Sequence, residues 1–120
     1  MNLNEFLEAI KSHPEITNFT DVINTIDTYY DYEPSNFFNG PESDGVFNKA
    51  GENEGSCKIF SFAKLNDLNV EQTLNCFGQY YRLDVLQHPN NTDHANIRTF
   101  IKYGWDHIKF EKAVLKLNDS

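Results

Sequence analysis

Apolar residues recur at helical spacing near the beginning of the chain and predict two helices there. The first stripe steps by three or four residues and consists of Leu3, Phe6, Leu7 and Ile10. Asn2 or Asn4 can cap this helix, and His13-Pro14 ends it because the residue before a proline is pushed out of helical geometry. A second helix is expected to follow Thr20, with Phe19 as a hydrophobic staple and a stripe at Val22, Ile23, Ile26 and Tyr30.

Two more helices are predicted from residue 69 to residue 104. A capping box at Asn69 and Gln72 begins a long helix. Its apolar face runs through Val70, Leu74, Phe77, Tyr81 and Val85. Pro89 breaks this helix, and the next one is expected to be capped by Thr92 and to stop at Gly104.

Four short segments carry strand signals. Residues 35–40 and 45–48 are aromatic or β-branched runs around a turn rich in Pro, Gly and Asp, which predicts a loose hairpin. Residues 108–110 and 114–117 alternate apolar with polar side chains and predict a second hairpin at the end of the chain.

Residues 57–65 are apolar on nearly all sides, so periodicity alone fits either a buried strand or a buried helix. Their length, and Asn66 as a stop signal, favour the helix. This brings the total to five helices and about four strands. Because strand–helix–strand alternation does not repeat, the expected fold class is α+β rather than α/β, as a single domain over residues 1–120.

The acidic balance of the chain narrows the partners to be considered. Ten basic and 18 acidic residues give a net charge of −8, and no basic patch is visible. This argues against nucleic acid and against an anionic membrane surface. The expected partner is an unknown small molecule or protein.

The spacing of the cysteines and histidines predicts neither a disulfide framework nor a metal site. Cys57 and Cys76 match neither a disulfide framework nor a zinc pattern, and the four histidines lack ligand spacing, so no metal and no cofactor is predicted. The first residues lack the basic and apolar regions of a secretory signal, which makes the cytoplasm the expected compartment. The abundance of Asn is interpreted as a genome-composition bias.

The glycine-bracketed loop from Gly51 to Lys58 is the first candidate site. It allows two interpretations: a turn in which Ser56 caps the next helix, or a loop whose Asn53, Ser56 and backbone amides hold an anion or another ligand. The order of residues is not that of a P-loop, and Glu52 and Glu54 would repel a phosphate.

Cys57 is the candidate nucleophile, since a position in the first helical turn lowers the pKa of a thiol. His94 is the best available base, with Asp93 beside it to orient the ring. The alternative is a buried, unreactive cysteine.

Two tyrosine clusters, which contain Tyr32 and Tyr81, could line a half-wet cleft. Arg82 or Arg98 could then bind a carboxylate or phosphate there, and ordinary packing is the alternative.

The same segments resemble the HopJ family, named after a proposed type III secreted effector of plant-pathogenic bacteria. The resemblance runs from about Phe19 to Phe110. It is carried by residues 30–34 (YDYEP), 50–63 (AGENEGSCKIFSFA), 80–82 (YYR) and 92–98 (TDHANIR), with Phe37, Asn39-Gly40, Thr73-Leu74, Phe77-Gly78 and Gly104-Trp105.

The resemblance implies a bacterial source and a small α+β fold whose strands curl into a barrel-like sheet. It supplies no catalytic activity to carry over. Three hypotheses follow. The first is a cytoplasmic, non-enzymatic domain that binds a small molecule or protein in a cleft near residues 51–57, Tyr32, Tyr81 and His94. The second is a small hydrolase or transferase that uses Cys57 and His94, and the third is an effector that is secreted by a type III system and acts on a host protein. The amphipathic first helix counts against export, since such secretion signals are typically unstructured.

Overall fold

The structure is a computed structural model that describes residues 1–118. Its α-helices are α1 (Leu3–Ser12), α2 (Phe19–Tyr29), α3 (Glu54–Leu65), α4 (Val70–Asn75) and α5 (Ala95–Tyr103). Its strands are β1 (Tyr30–Tyr32), β2 (Phe37–Asn39), β3 (Val46–Asn48), β4 (Lys109–Phe110) and β5 (Leu115–Leu117). A π-helix spans Tyr80–Val85, and short 3₁₀ turns span Pro14–Ile16 and Gly104–His107. This mixture of helices and short antiparallel strands confirms the α+β class.

The strands form two small sheets instead of one barrel-like sheet. In one sheet β1 pairs with β5, and in the other the order is β3-β2-β4, with every pairing antiparallel. The β2–β3 hairpin was predicted and is confirmed. The prediction of a terminal hairpin is wrong, because β4 and β5 belong to different sheets. Phe110 of β4 lies opposite Phe37, and Leu117 of β5 lies opposite Tyr30. β1 was not predicted, since it follows α2 directly with no breaking residue between them.

Helix ends follow local signals where the cap is a short polar side chain. The Asn69 side chain accepts from the N3 amide in a reciprocal capping box, as predicted. Of the two candidate caps of α1, the structure has Asn2, which also forms a capping box, with Glu5. α2 begins two residues early because Asn18, not Thr20, is its cap; Asn18 Oδ1 accepts from the Thr20 amide at 2.8 Å. Phe19 therefore lies inside the helix. α1 ends at Ser12 and α5 at Tyr103, as Pro14 and Gly104 predicted.

The predicted caps of α3 and α5 are both wrong. Ser56 and Thr92 are not the cap residues. α3 begins at Glu54 and α5 at Ala95, and their N-cap positions are held by Asn53 and His94.

The predicted helix from Val70 to Val85 is interrupted at Gly78. α4 ends at Asn75, and Gly78 adopts a left-handed conformation with φ +58°. A π-turn follows, in which the Leu86 amide donates to the Tyr81 carbonyl five residues back. The glycine is required for close approach as well as for φ, because a Cβ there would lie 2.8 Å from the Phe19 backbone nitrogen.

Gly78→Ala is expected to lower the free energy of unfolding by about 2–3 kcal/mol, from the left-handed strain and from the displaced Phe19 backbone. Gly51→Ala is the matched control: its φ is +89°, but no atom lies within 4 Å of the added Cβ. It should lose only about 1–2 kcal/mol. Urea denaturation of both variants measures the difference, and equal losses would show that contact with Phe19 contributes nothing.

The core is built around the middle of α3, which explains why residues 57–65 are apolar on nearly all sides. Phe60 is fully buried at its centre and contacts aromatic rings from β2, α4's following turn and α5. The helix prediction for this segment is confirmed, and Asn66 ends the helix as expected.

Candidate functional site

A cavity of about 360 Å³ lies where α3 and α5 begin. We call it the α3–α5 cavity. It is lined by Phe19, Val46, Asn53, Gly55, Ser56, Phe77, Tyr80, His94, Ala95, Asn96 and Ile97. Its volume falls at the lower end of the range of roughly 300–1,000 Å³ that is typical of small-molecule sites.

Both helices enter this cavity without a side-chain cap. Asn53 (φ 50°) and His94 (φ 53°) adopt left-handed conformations, which are uncommon for residues other than glycine. The first intrahelical bonds run from the Cys57 amide to the Asn53 carbonyl and from the Arg98 amide to the His94 carbonyl. The three amides before each of these bonds, in residues 54–56 and 95–97, therefore have no partner within their helix. The helix dipoles add positive potential at the same end.

Each N-cap side chain is turned to a different partner. Asn53 Nδ2 donates to Asn48 Oδ1 at 2.7 Å. His94 Nε2 lies 3.0 Å from Asp84 Oδ2 and 3.8 Å from Asp93 Oδ2. Because the two side chains bond these partners, neither one caps its own helix, and within residues 1–118 the amides of the first helical turns have no side-chain cap.

A buried asparagine network supports the cavity from behind. Asn39, Asn48 and Asn96, from β2, β3 and α5, are at most 6% exposed. Asn96 Oδ1 accepts from Asn39 Nδ2 at 3.1 Å and from Asn48 Nδ2 at 3.2 Å. Asn96 Nδ2 donates to Asn48 Oδ1 at 2.8 Å, so the amides tie the first turn of α5 to the hairpin.

Aromatic rings form one wall of the α3–α5 cavity. The Tyr80 ring lies 5.3 Å from the His94 ring, centroid to centroid, and packs edge-on against Phe19 at 5.0 Å. The cavity thus combines a flat aromatic wall with backbone donors. That combination suits a small ligand with an apolar ring and a hydrogen-bond acceptor.

Of the candidate residues, the structure brings Asn53, Ser56 and His94 together in this cavity. Cys57 and Tyr32 lie elsewhere, beside each other and near Glu54. Cys57 is 2% exposed, and burial raises the pKa of its thiol. Burial, with Glu54 and Cys57 as neighbours, also raises the pKa of Tyr32. The expected lowering of the thiol pKa by the helix N-terminus does not occur, because burial disfavours the thiolate more strongly.

Both candidate arginines, Arg82 and Arg98, donate hydrogen bonds to acceptors within the protein itself. Arg82 donates to the Asn75 side chain at 2.9 Å and to the Thr17 carbonyl, which fixes the turn after α4. Arg98 donates to Asp93 Oδ1 at 2.7 Å and to the His88 carbonyl at 2.9 Å, which fixes the segment before α5. The Arg98 guanidinium holds the pKa of the Asp93 carboxyl below its usual value.

Tyr81 is half-buried near Glu71, and burial raises the pKa of its hydroxyl. It does not line the α3–α5 cavity, where its neighbour Tyr80 is found instead. Adjacent tyrosines on one turn point in different directions, and the sequence did not show which of the two faced the cavity.

The sequence also missed the asparagines. Asn39 and Asn48 lie at the ends of predicted strands, and Asn96 lies two residues after His94. On the sequence alone, the abundance of asparagine in this chain is nevertheless attributed to a genome-composition bias. A polar residue at the inward position of a short strand was the signal that could have found them.

The described part of the chain carries neither a cluster of metal-ligating side chains nor a helix suited to a membrane. Across residues 1–118, no group of three or more His, Cys, Asp or Glu side chains could hold a metal ion. Over the same residues, no helix has the length and apolar character needed to cross a membrane.

Comparisons with known proteins agree with the architecture. The family model described as HopJ type III effector protein matches residues 3–115. A crystal structure described as that of an unknown function protein, VPA0580, is similar with a TM-score of 0.93 and 47% sequence identity, and the match covers 98% of this chain and 95% of that chain. No curated protein shows significant similarity.

Proposed function

We propose that this chain, which belongs to the HopJ type III effector protein family, binds a small molecule in the α3–α5 cavity. The observation that supports this most is that two uncapped helix N-termini open into one cavity. Free amides in that position satisfy an acceptor group without requiring a side chain to move.

The charges around the cavity refine the ligand class. Glu54 begins α3, and Asp84 and Asp93 both lie near His94. Such carboxylates disfavour a multiply charged phosphate. The proposed ligand is therefore a small aromatic or heteroaromatic compound with a neutral carbonyl or amide acceptor, whose ring packs against Tyr80 and Phe19.

Binding without covalent chemistry is the function proposed. A cysteine nucleophile needs a lowered thiol pKa, whereas burial raises the pKa of Cys57. His94 contacts Asp84 and Tyr80, and among residues 1–118 no hydrogen bond joins it to Cys57.

We place this binding in the bacterial cytoplasm. The name of the family supports the alternative, in which the chain acts after type III export. Assaying the culture medium of a secretion-competent strain separates the two: recovery of the chain there, dependent on the secretion system, would contradict the cytoplasmic placement.

Ala95→Trp is expected to weaken ligand binding at the α3–α5 cavity by at least about tenfold, because the exposed Ala95 lies at the rim and an indole would fill the opening. The measurement is NMR titration with a set of small aromatic amides, beginning with benzamide. Wild-type protein should show saturable chemical-shift changes at the amides of residues 54–56 and 95–97.

Ala50→Trp is the matched control, since Ala50 is exposed in a turn outside the cavity and should leave the affinity unchanged. Thermal melting confirms that both variants fold. The proposal fails if none of the aromatic amide ligands shifts the named backbone resonances, or if the Ala95→Trp variant binds such a ligand as tightly as the control variant does.

A further inference from the structure

A second cavity, of about 620 Å³, lies between the end of α3 and the segment that leads into β5. We call it the α3–β5 cavity. Its α3 wall consists of Ser61, Lys64 and Leu65, and its other wall is formed by Phe110 and residues 112–115. None of these residues lines the α3–α5 cavity, so the two sites are independent.

The walls are apolar and partly open to solvent. Leu65, the last residue of α3, is 57% exposed, whereas the five residues from Ile59 to Ala63 before it are buried. Phe110 packs on the core with one face, and Val114 and Leu115 are buried. An apolar chain lying here would cover Leu65 and the free face of Phe110.

Two polar side chains on the same face of α3, those of Ser61 and Lys64, can bind a ligand in this cavity. Ser61 is 6% exposed, and its buried Oγ has no hydrogen-bond partner among residues 1–118. A buried hydroxyl in that state is costly, and native proteins rarely retain one without a reason. Lys64 lies one helical turn further, so both side chains can reach a single group.

The lysines supply positive charge in a strongly acidic chain. Lys64 Nζ lies 6.0 Å from the centre of the Phe110 ring, and within the described residues no carboxylate is in ion-pair range of it. Lys112, on the other wall, contacts Glu33 at 3.1 Å, with both side chains more than half exposed. An exposed pair of this kind is weak and can be exchanged for a ligand.

We propose that the α3–β5 cavity binds a free monocarboxylate with an apolar chain. The carboxylate accepts from Ser61 Oγ and pairs with the Lys64 ammonium, while the chain lies along Leu65 and Phe110. This geometry satisfies the buried hydroxyl, neutralises the unpaired lysine and covers the exposed leucine in one binding event.

The test is NMR titration of the full chain with decanoate below its micelle concentration. We expect saturable shifts at residues 61–65 and 110–115. Lys64→Gln should weaken decanoate binding by about tenfold, and Lys64→Arg should retain most of it. Decylammonium, which has the same chain and the opposite charge, should bind at least about tenfold more weakly than decanoate.

Lys49→Gln is the matched control, because Lys49 is exposed, outside the cavity, and its loss changes the net charge equally. Equal weakening by Lys49→Gln and Lys64→Gln would show nonspecific electrostatics and overturn the proposal. So would decylammonium binding as tightly as decanoate, or shifts confined to other residues.

Ser61→Ala separates a ligand role from a structural one. Removing an unpaired buried hydroxyl should leave the unfolding midpoint unchanged or raise it, and should still weaken decanoate binding several-fold. Unchanged affinity in a stable Ser61→Ala protein would overturn the placement of the carboxylate. Binding of aromatic amide ligands at the α3–α5 cavity is followed on the resonances of other residues. Failure of the decanoate proposal therefore leaves the proposal for the α3–α5 cavity intact, and the reverse also holds.

Discussion

Phe60→Ala is expected to lower the free energy of unfolding by about 3–5 kcal/mol, the usual cost of truncating a fully buried aromatic side chain. Phe60 is 0% exposed and lies at the meeting point of four rings. Its ring centroid is 4.9 Å from that of Phe100, 5.4 Å from Phe77, 6.2 Å from Phe37 and 6.4 Å from Trp105.

The loss should be large because these rings come from three separate parts of the chain and cannot collapse together into the space. A domain of ordinary stability, about 5–15 kcal/mol, would lose a large fraction of it. Chemical denaturation measures the change. Phe47→Ala is the control, since Phe47 is 48% exposed and contacts Phe38 on the outer face of the hairpin. A loss below about 1 kcal/mol is expected there, and a similar loss for both variants would mean that α3 is not the centre of the core.

Asn96→Ala should cost about 2–4 kcal/mol and lower the melting temperature by roughly 10 °C. The change removes Asn96 Oδ1, which accepts from Asn39 and Asn48, and Asn96 Nδ2, which donates to Asn48, all in a buried site. Asn39 Nδ2 then keeps only the backbone carbonyl of residue 96, at 2.8 Å. Buried polar groups left without partners carry the full cost of their desolvation.

Asn91→Ala is the control, because Asn91 is exposed and its side chain makes no hydrogen bond within the described residues. It should change stability by less than about 0.5 kcal/mol. The double variant of Asn48 and Asn96 tests the network further: its loss should be smaller than the sum of the single losses, since the two side chains share bonds. Strict additivity would contradict a coupled network.

Elements governed by neighbouring residues could be predicted from the sequence. The capping box at Asn69 and the helix stops at Pro14 and Gly104 act within a few residues, and each was predicted correctly. The sequence also narrowed the cap of α1 to Asn2 or Asn4, and the structure has Asn2. The errors arise where distant segments decide. Gly78 interrupts a good helical stripe because the Phe19 backbone passes close to it, and β4 and β5 pair with strands that lie much earlier in the chain.

The α3–α5 cavity shows the same division. Asn53, Ser56 and His94 were predicted as ligand candidates from loop position and residue type, and they share one cavity. Tyr80 and the buried asparagines were missed because their roles depend on packing between α2, the hairpin and α5. Arg82 and Arg98 are suitable by chemistry for anion binding, but backbone carbonyls of Thr17 and His88 already occupy them.

The pairing of early strands with late ones also sets the order of events during synthesis. β1 and β2 are complete before α3 has been translated, yet their partners β5 and β4 are made near residues 115 and 109. At ribosomal rates the delay is on the order of ten seconds. During that time β1 lacks its only partner strand within residues 1–118, and its backbone amides and carbonyls are open to chaperones or to another nascent chain. The edges of the two sheets are therefore most open to pairing with other chains while the protein is still being translated.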